Sequence, residues 1–170
     1  MLRLILVRHA KSSWGDAGLA DFDRPLAPRG EHAADAMGEV IAARGLTPDR
    51  ILCSPARRTR ETVARLFSGP AMQGRIAFIE ALYDSPGDYR AIIAAEGGTA
   101  QTLMVVGHNP ATHATALVLA GTGEPGLTRD LAVKYPTGAM TVIQFDEADW
   151  TAVAPHSGHV SAFIRPRDLE

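Results

Sequence analysis

Hydrophobic side chains cluster in three short runs, residues 2–7, 50–53 and 102–106, each rich in Leu, Ile, Val or Met and each ending at polar or glycine residues. A strand with one wet face alternates apolar and polar positions; these runs do not, so they read as strands buried on both faces. Helical spacing fills the intervals. Residues 29–44 place Ala33, Ala36, Met37, Val40 and Ile41 on one face at three- and four-residue steps, and Gly45 stops the pattern. Residues 55–67 open on Ser54-Pro55, an N-cap and first-turn pair, and stop before Ser68-Gly69-Pro70. Two further helices are predicted over 86–96 and 110–120, each opened by proline and closed by glycine.

Strands alternating with helices predict an α/β fold: a mostly parallel central sheet with helices on both faces, three layers in all. Residues 139–145 and 150–154, separated by Asp146-Glu147-Ala148-Asp149, predict a hairpin at a sheet edge. With neither an internal repeat nor a long linker, residues 1–170 are expected to form a single domain.

Composition narrows the function classes. The 170 residues are 46% hydrophobic and 21% charged, with a formal net charge of -2. That is ordinary globular usage, without the basic excess of a general nucleic-acid binder. The single cysteine, Cys53, excludes an intramolecular disulfide and fits a reducing compartment. The apolar start is too short and too charged for a leader, and no apolar run is long enough to span a membrane. A cytoplasmic protein without membrane or nucleic-acid partners is the expectation.

In open α/β sheets, ligands bind beyond the carboxyl ends of the strands. After the first buried run stand Arg8-His9-Ala10-Lys11-Ser12; after the second, Ser54 to Thr62 with Arg57, Arg58 and Arg60; after the third, Gly107-His108-Asn109-Pro110. Two histidines and a knot of arginines therefore converge on one rim, where helix N-termini and guanidinium forks favour anions. This constellation resembles the histidine phosphatase superfamily, the phosphoglycerate-mutase-like enzymes, over roughly residues 2–145. Arg8-His9-Ala10 is similar to the family's Arg-His-Gly signature, with Ala in the third place. Ser54 to Thr62 is similar to its Ser-x-x-x-Arg-x-x-x-Thr segment, which selects Arg58 rather than Arg57, and Gly107-His108 supplies the second histidine. Asp23-Arg24-Pro25-Leu26-Ala27-Pro28-Arg29-Gly30 resembles its Pro-Leu-Thr-x-x-Gly segment, with Ala27 where Thr is usual. The short chain resembles the SixA-type phosphohistidine phosphatase branch.

The resemblance implies a phosphohydrolase working through a phosphohistidine on His9. Phosphoryl transfer needs an in-line nucleophile and stabilisation of three equatorial oxygens. A neutral imidazole can supply the first. Arg8 and Arg58 would hold the oxygens, His108 would be a further donor if protonated, and these fixed cations leave no need for a metal or cofactor. Arg24 either joins the substrate contacts or pairs with Asp21 or Asp23. Glu80, after the apolar stretch 76–79, is the candidate proton donor, with Asp84 as its competitor. Substrates are then a phosphohistidine-bearing protein or a small phosphorylated compound. A phosphomonoester phosphatase is the alternative, followed by a mutase and by a phosphate-recognising module without turnover.

Other residues take ordinary readings. Arg57 and Arg60 form a solvated helix face, and His32 is exposed. His113, five residues after His108, is off its helical face, which argues against a metal pair, and His156 and His159 lack an acidic partner nearby. Cys53 does not start a Cys-x-x-x-x-x-Arg phosphatase loop, because that register places Thr59 where the arginine is needed.

Overall fold

A computed structural model describes residues 1–85 and 87–170. Among these residues seven strands form one sheet: β1 (Leu2–Arg8), β2 (Arg50–Cys53), β3 (Ile76–Phe78), β4 (Thr102–Gly107), β5 (Ala120–Gly123), β6 (Met140–Phe145) and β7 (Gly158–Ile164), in the order β3-β2-β4-β1-β6-β7-β5. β3, β2, β4 and β1 are parallel to one another, β6 runs against β1 and β7, and β5 is parallel to β7. The expected mostly parallel sheet is the observed one.

Helices α1 (Pro28–Ala43), α2 (Arg57–Leu66), α3 (Arg90–Glu96), α4 (Ala111–Leu119) and α5 (Leu127–Val133) cover both faces. The pleat sorts the central strands between two cores. Leu4, Leu6, Leu103, Val105 and Ile143 pack with Ile93, Ala116, Leu119 and Leu131 of α3, α4 and α5. Ile5, Val7, Met104, Val106 and Val142 face the other way, onto Met37 and Ile41 of α1 and Val63 and Leu66 of α2. Every residue of β4 is buried, as a strand covered on both faces requires. The side of α1 that packs deepest is Gly30, Ala34, Met37 and Ile41, rotated slightly from the predicted stripe; Ala33, Ala36 and Val40 are half-buried. Gly38 allows the α1–α2 contact, since a Cβ there would stand 2.6 Å from the Leu66 carbonyl oxygen.

Two expectations are corrected. The helix predicted from residue 86 begins at Arg90; Pro86 itself lies outside the described residues. The partner of β6 is not residues 150–154 but β7, and β5 lies outside β7 at the sheet edge. Residues Trp150–Ala152 form a 3-10 turn capped by Asp149, whose side chain accepts from the Thr151 amide. Trp150 is pulled inward instead: its ring packs on Gly97, and its Nε1–H donates to the Ala100 carbonyl at 2.7 Å.

Candidate active site

The carboxyl ends of β1, β2 and β4 meet at the middle of the sheet, where a cleft of about 300 Å³ opens. Its lining includes Arg8, His9, Asp21, Arg24, Arg58 and His108, contributed by the segments after those strands and the loop before α1. The His9 backbone is clamped from both sides. Its amide donates to Gly107 O at 3.0 Å, and its carbonyl accepts from the Gly138 amide at 2.9 Å. The next amide, Ala10 N–H, donates to Thr62 Oγ1 at 3.0 Å, and Thr62 Oγ1 donates in turn to Arg58 O at 2.7 Å. One threonine thus ties the His9 loop to the first turn of α2, which carries Arg58.

The His9 ring is buried, and its Nδ1 lies 2.7 Å from Ala10 O. A carbonyl only accepts, so Nδ1 carries the proton and the lone pair is on Nε2. Burial, followed by the neighbouring His108, Arg58 and Arg8, pushes the His9 pKa down to about 3, while the Ala10 carbonyl opposes that shift. The ring is therefore a neutral imidazole at pH 7. His108 is 5.3 Å away between ring centroids, and its Nε2 meets Ser54 Oγ at 2.8 Å. Burial, then Arg58, lowers its pKa to about 4, so it too is neutral at pH 7.

Arg8 and Arg58 are each anchored by one edge of the guanidinium, whereas Arg24 is held through all three of its nitrogens. Arg8 Nη1 donates to Tyr135 O at 2.9 Å; Arg58 Nη1 donates to Asp21 O at 2.8 Å and its Nη2 to Asp21 Oδ2 at 3.1 Å. Arg24 donates to Asp21 Oδ1 at 2.8 Å, to Ser13 O and to Ser12 Oγ, and its guanidinium lies 3.3 Å over the exposed Trp14 ring. Burial and the charge of Arg58 both lower the Arg8 pKa, an unfavourable pairing of cations that an anion between them would relieve. Three buried polar atoms of lining residues, Arg8 Nε, Arg58 Nε and His108 Nδ1, have no hydrogen-bond partner. Buried donors are rarely left unmade, and a tetrahedral oxyanion is the kind of ligand that would use them.

His9, Arg8, Arg58, His108 and Arg24 thus come together. Glu80 does not join them. It is exposed at the start of the 3-10 turn Glu80–Leu82, outside the cleft lining, and Asp84 is exposed as well. From that turn the contact comes instead through Tyr83, whose hydroxyl donates to Asp21 Oδ2 at 2.9 Å and whose ring meets the His108 ring edge-on. Asp21 is the group that sequence reasoning undervalued. Its carboxylate takes hydrogen bonds from Tyr83, Arg24 and Arg58, which outweigh its desolvation and hold its pKa down to about 2. Lys11 and Ser12 line the cleft beside His9, as do Trp14, Asn109 and Thr137. Arg57 points away and pairs with Glu61 at 2.9 Å. Cys53 is buried, and burial pushes its thiol up to about 12, which makes it inert.

A family model of the histidine phosphatase superfamily (branch 1) matches residues 4–83. An uncharacterized Mycobacterium tuberculosis protein is 37% identical, covering 95% of this chain and 100% of its own. A solved structure from Agrobacterium tumefaciens, proposed to be the phosphohistidine phosphatase SixA, is 31% identical with a TM-score of 0.72, covering 97% of this chain and 99% of that one. A second proposed SixA, from Nakamurella multipartitia, is 28% identical with a TM-score of 0.81, covering 97% and 96%. The chain belongs to the histidine phosphatase superfamily and is a phosphatase.

Proposed function

We propose that this phosphatase transfers the phosphoryl group of a phosphohistidine-bearing protein to His9 Nε2 and then to water, without a metal ion. The observation that carries this is the His9 tautomer: Nδ1–H is committed to Ala10 O, so a neutral, unprotonated Nε2 is left in a cleft walled by Arg8, Arg58 and His108. In the first step the Nε2 lone pair forms a bond to phosphorus. The bond from phosphorus to the substrate breaks, and its electron pair leaves with the substrate's ring nitrogen. In the second step water adds to phosphorus, the pair returns to Nε2, and the water proton passes to solvent with release of inorganic phosphate. Arg8, Arg58 and Arg24 balance the oxygens' charge, and His108 donates through its partnerless Nδ1 when Ser54 Oγ–H donates to its Nε2. Arginines in this role are worth about 10³–10⁵ in rate.

The substrate reading follows from the acids. Among the described lining residues the one carboxyl group is Asp21, which is ionised and shared by two arginines and Tyr83, so it has no proton to give. General acid catalysis normally supplies about 10²–10⁴ in rate, and a leaving group must manage without it. Imidazole can, because it leaves as a neutral ring when its other nitrogen keeps a proton. An alkoxide cannot. The likeness to two proteins proposed to be SixA phosphohistidine phosphatases supports the same reading.

The test is to trap the intermediate. Mixing enzyme with a phosphohistidine-bearing protein, or with an aryl phosphate, should give an acid-labile, base-stable phosphoenzyme, absent from His9→Ala. A His9→Ala enzyme that retains more than about a hundredth of wild-type kcat would overturn the assignment, since removal of a covalent nucleophile costs far more.

A further inference from the structure

Beside the catalytic cleft lies a groove of about 430 Å³ between the start of α1, the segment 136–137 and residues 165–167. Lys11 and Thr137 line both, so the two adjoin. Although the chain carries a net charge of -2, the groove is basic: Lys11, Arg29, Arg165 and Arg167 line it, against Glu170 as the one acid. Arg165 is neutralised by Asp168 at 3.0 Å. Lys11, Arg29 and Arg167 make no ion pair among the described residues, and all three side chains are exposed.

The groove is also fixed relative to His9. The Lys11 carbonyl accepts from the Ala27 amide at 2.9 Å, and Gly30 packs so closely that a Cβ there would be 2.0 Å from that oxygen. This joins the His9 loop to the first turn of α1, which bears Arg29. The Gly138 amide donates to the carbonyls of both Arg8 and His9, which ties the 136–137 wall to the same loop. Unpaired cations fixed beside a reaction cleft recruit ligands with the opposite charge.

We infer that this groove docks an acidic stretch of the phosphorylated protein substrate, next to the phosphohistidine that enters the cleft; the inference rests on the protein-substrate reading above. Its apolar floor of Ala33, Ala36 and Pro136 would take the stems of that stretch, while Arg29 and Arg167 meet its carboxylates.

The experiment titrates a fluorescein-labelled hexa-aspartate peptide into the protein at low ionic strength, with inorganic phosphate present to fill the catalytic cleft. Arg29→Glu/Arg167→Glu should weaken the peptide's binding by about ten-fold or more, and Arg29→Gln/Arg167→Gln by less. Acidic residues are favoured in the first turn of a helix, so Arg29→Glu is compatible with folding. In the same variants kcat/KM on a phosphohistidine-bearing protein should fall by a similar factor, with aryl phosphate turnover unchanged. Peptide binding that is absent, or untouched by charge reversal, overturns the groove, as does an equal fall on both substrates. Turnover of aryl phosphate with none of the phosphohistidine protein sinks the substrate reading, while the peptide titration still decides the groove.

Discussion

At the scale of one residue, the proposed mechanism depends on keeping His9 neutral without losing its orientation. An exposed imidazole holds its proton until about pH 6.5; burial and two nearby guanidinium groups hold the His9 pKa at about 3 and that of His108 at about 4. In an NMR titration, the ring resonances of both should therefore stay still from pH 7.5 to 5, and movement centred near 6.5 would refute the electrostatic account. The sign for stability follows from linkage. Between pH 6.5 and 4 the unfolded chain binds protons at these positions and the folded chain does not, so acid in this window favours unfolding. A second residue-scale prediction concerns Glu80. Because its side chain is exposed and outside the cleft, Glu80→Gln should change kcat/KM less than about two-fold on phosphohistidine and aryl phosphates alike. A loss of ten-fold or more, greatest on alkyl phosphates, would restore it as the proton donor. His9, Arg8, Arg58 and His108 were readable because each stands at or just beyond a buried strand or opens a helix. Asp21 and Tyr83 were not, since Asp21 opens one short 3-10 turn and Tyr83 follows another, and such turns leave no periodic trace.

At the scale of elements, α2 turns a run of similar residues into different roles. Arg57 and Arg58 are neighbours, yet a step of one residue on a helix is a turn of about 100°. Arg57 consequently faces solvent and Glu61, whereas Arg58 faces Asp21 and the cleft. Vanadate inhibition should be weakened strongly by Arg58→Ala and barely by Arg57→Ala; equal effects would mean the wrong arginine lines the cleft. The junction between the His9 loop and α1 gives a stability prediction. A methyl group at Gly30 must displace the Lys11 backbone, so Gly30→Ala should cost about 1–3 kcal/mol in urea unfolding and lower turnover as well. Wild-type stability and activity in that variant would show the contact to be slack. The elements themselves were legible where pattern and burial agree, as in β1, β2, β4 and the bodies of α1, α2 and α4. The predicted hairpin failed because Trp150 looks like a strand residue, although its indole is used to plug the core beside Gly97. β7 was hidden because its opening, Gly158-His159-Val160-Ser161, mixes polar and apolar positions without a clean apolar run.

At the scale of the whole molecule, the sheet brings together the segments that follow β1, β2 and β4, far apart in sequence, and the balance of charge at that meeting point is positive. Arg8, Arg24 and Arg58 face the single carboxylate of Asp21, and buried donors remain without partners. No three His, Cys, Asp or Glu side chains gather closely enough among the described residues to hold a metal ion; the cations that line the cleft are Arg8, Lys11, Arg24 and Arg58. A ligand that binds only the folded state stabilises it by RT ln(1 + [L]/Kd), about 2.7 kcal/mol at a hundred-fold excess over Kd. For a chain of this length that corresponds to a rise in Tm of about 5–10 °C. Phosphate or vanadate should therefore raise Tm by this order at saturation. The rise should persist after exhaustive chelation and be largely lost in Arg58→Ala, whose cleft keeps the histidines but lacks the fork that faces Asp21. Turnover should follow the same pattern, because in the proposed mechanism the charge that binds phosphate also stabilises its transfer. If chelation removes both the Tm rise and the activity, and magnesium or zinc restores them, the anion is held by a metal and the role given to the arginines is wrong.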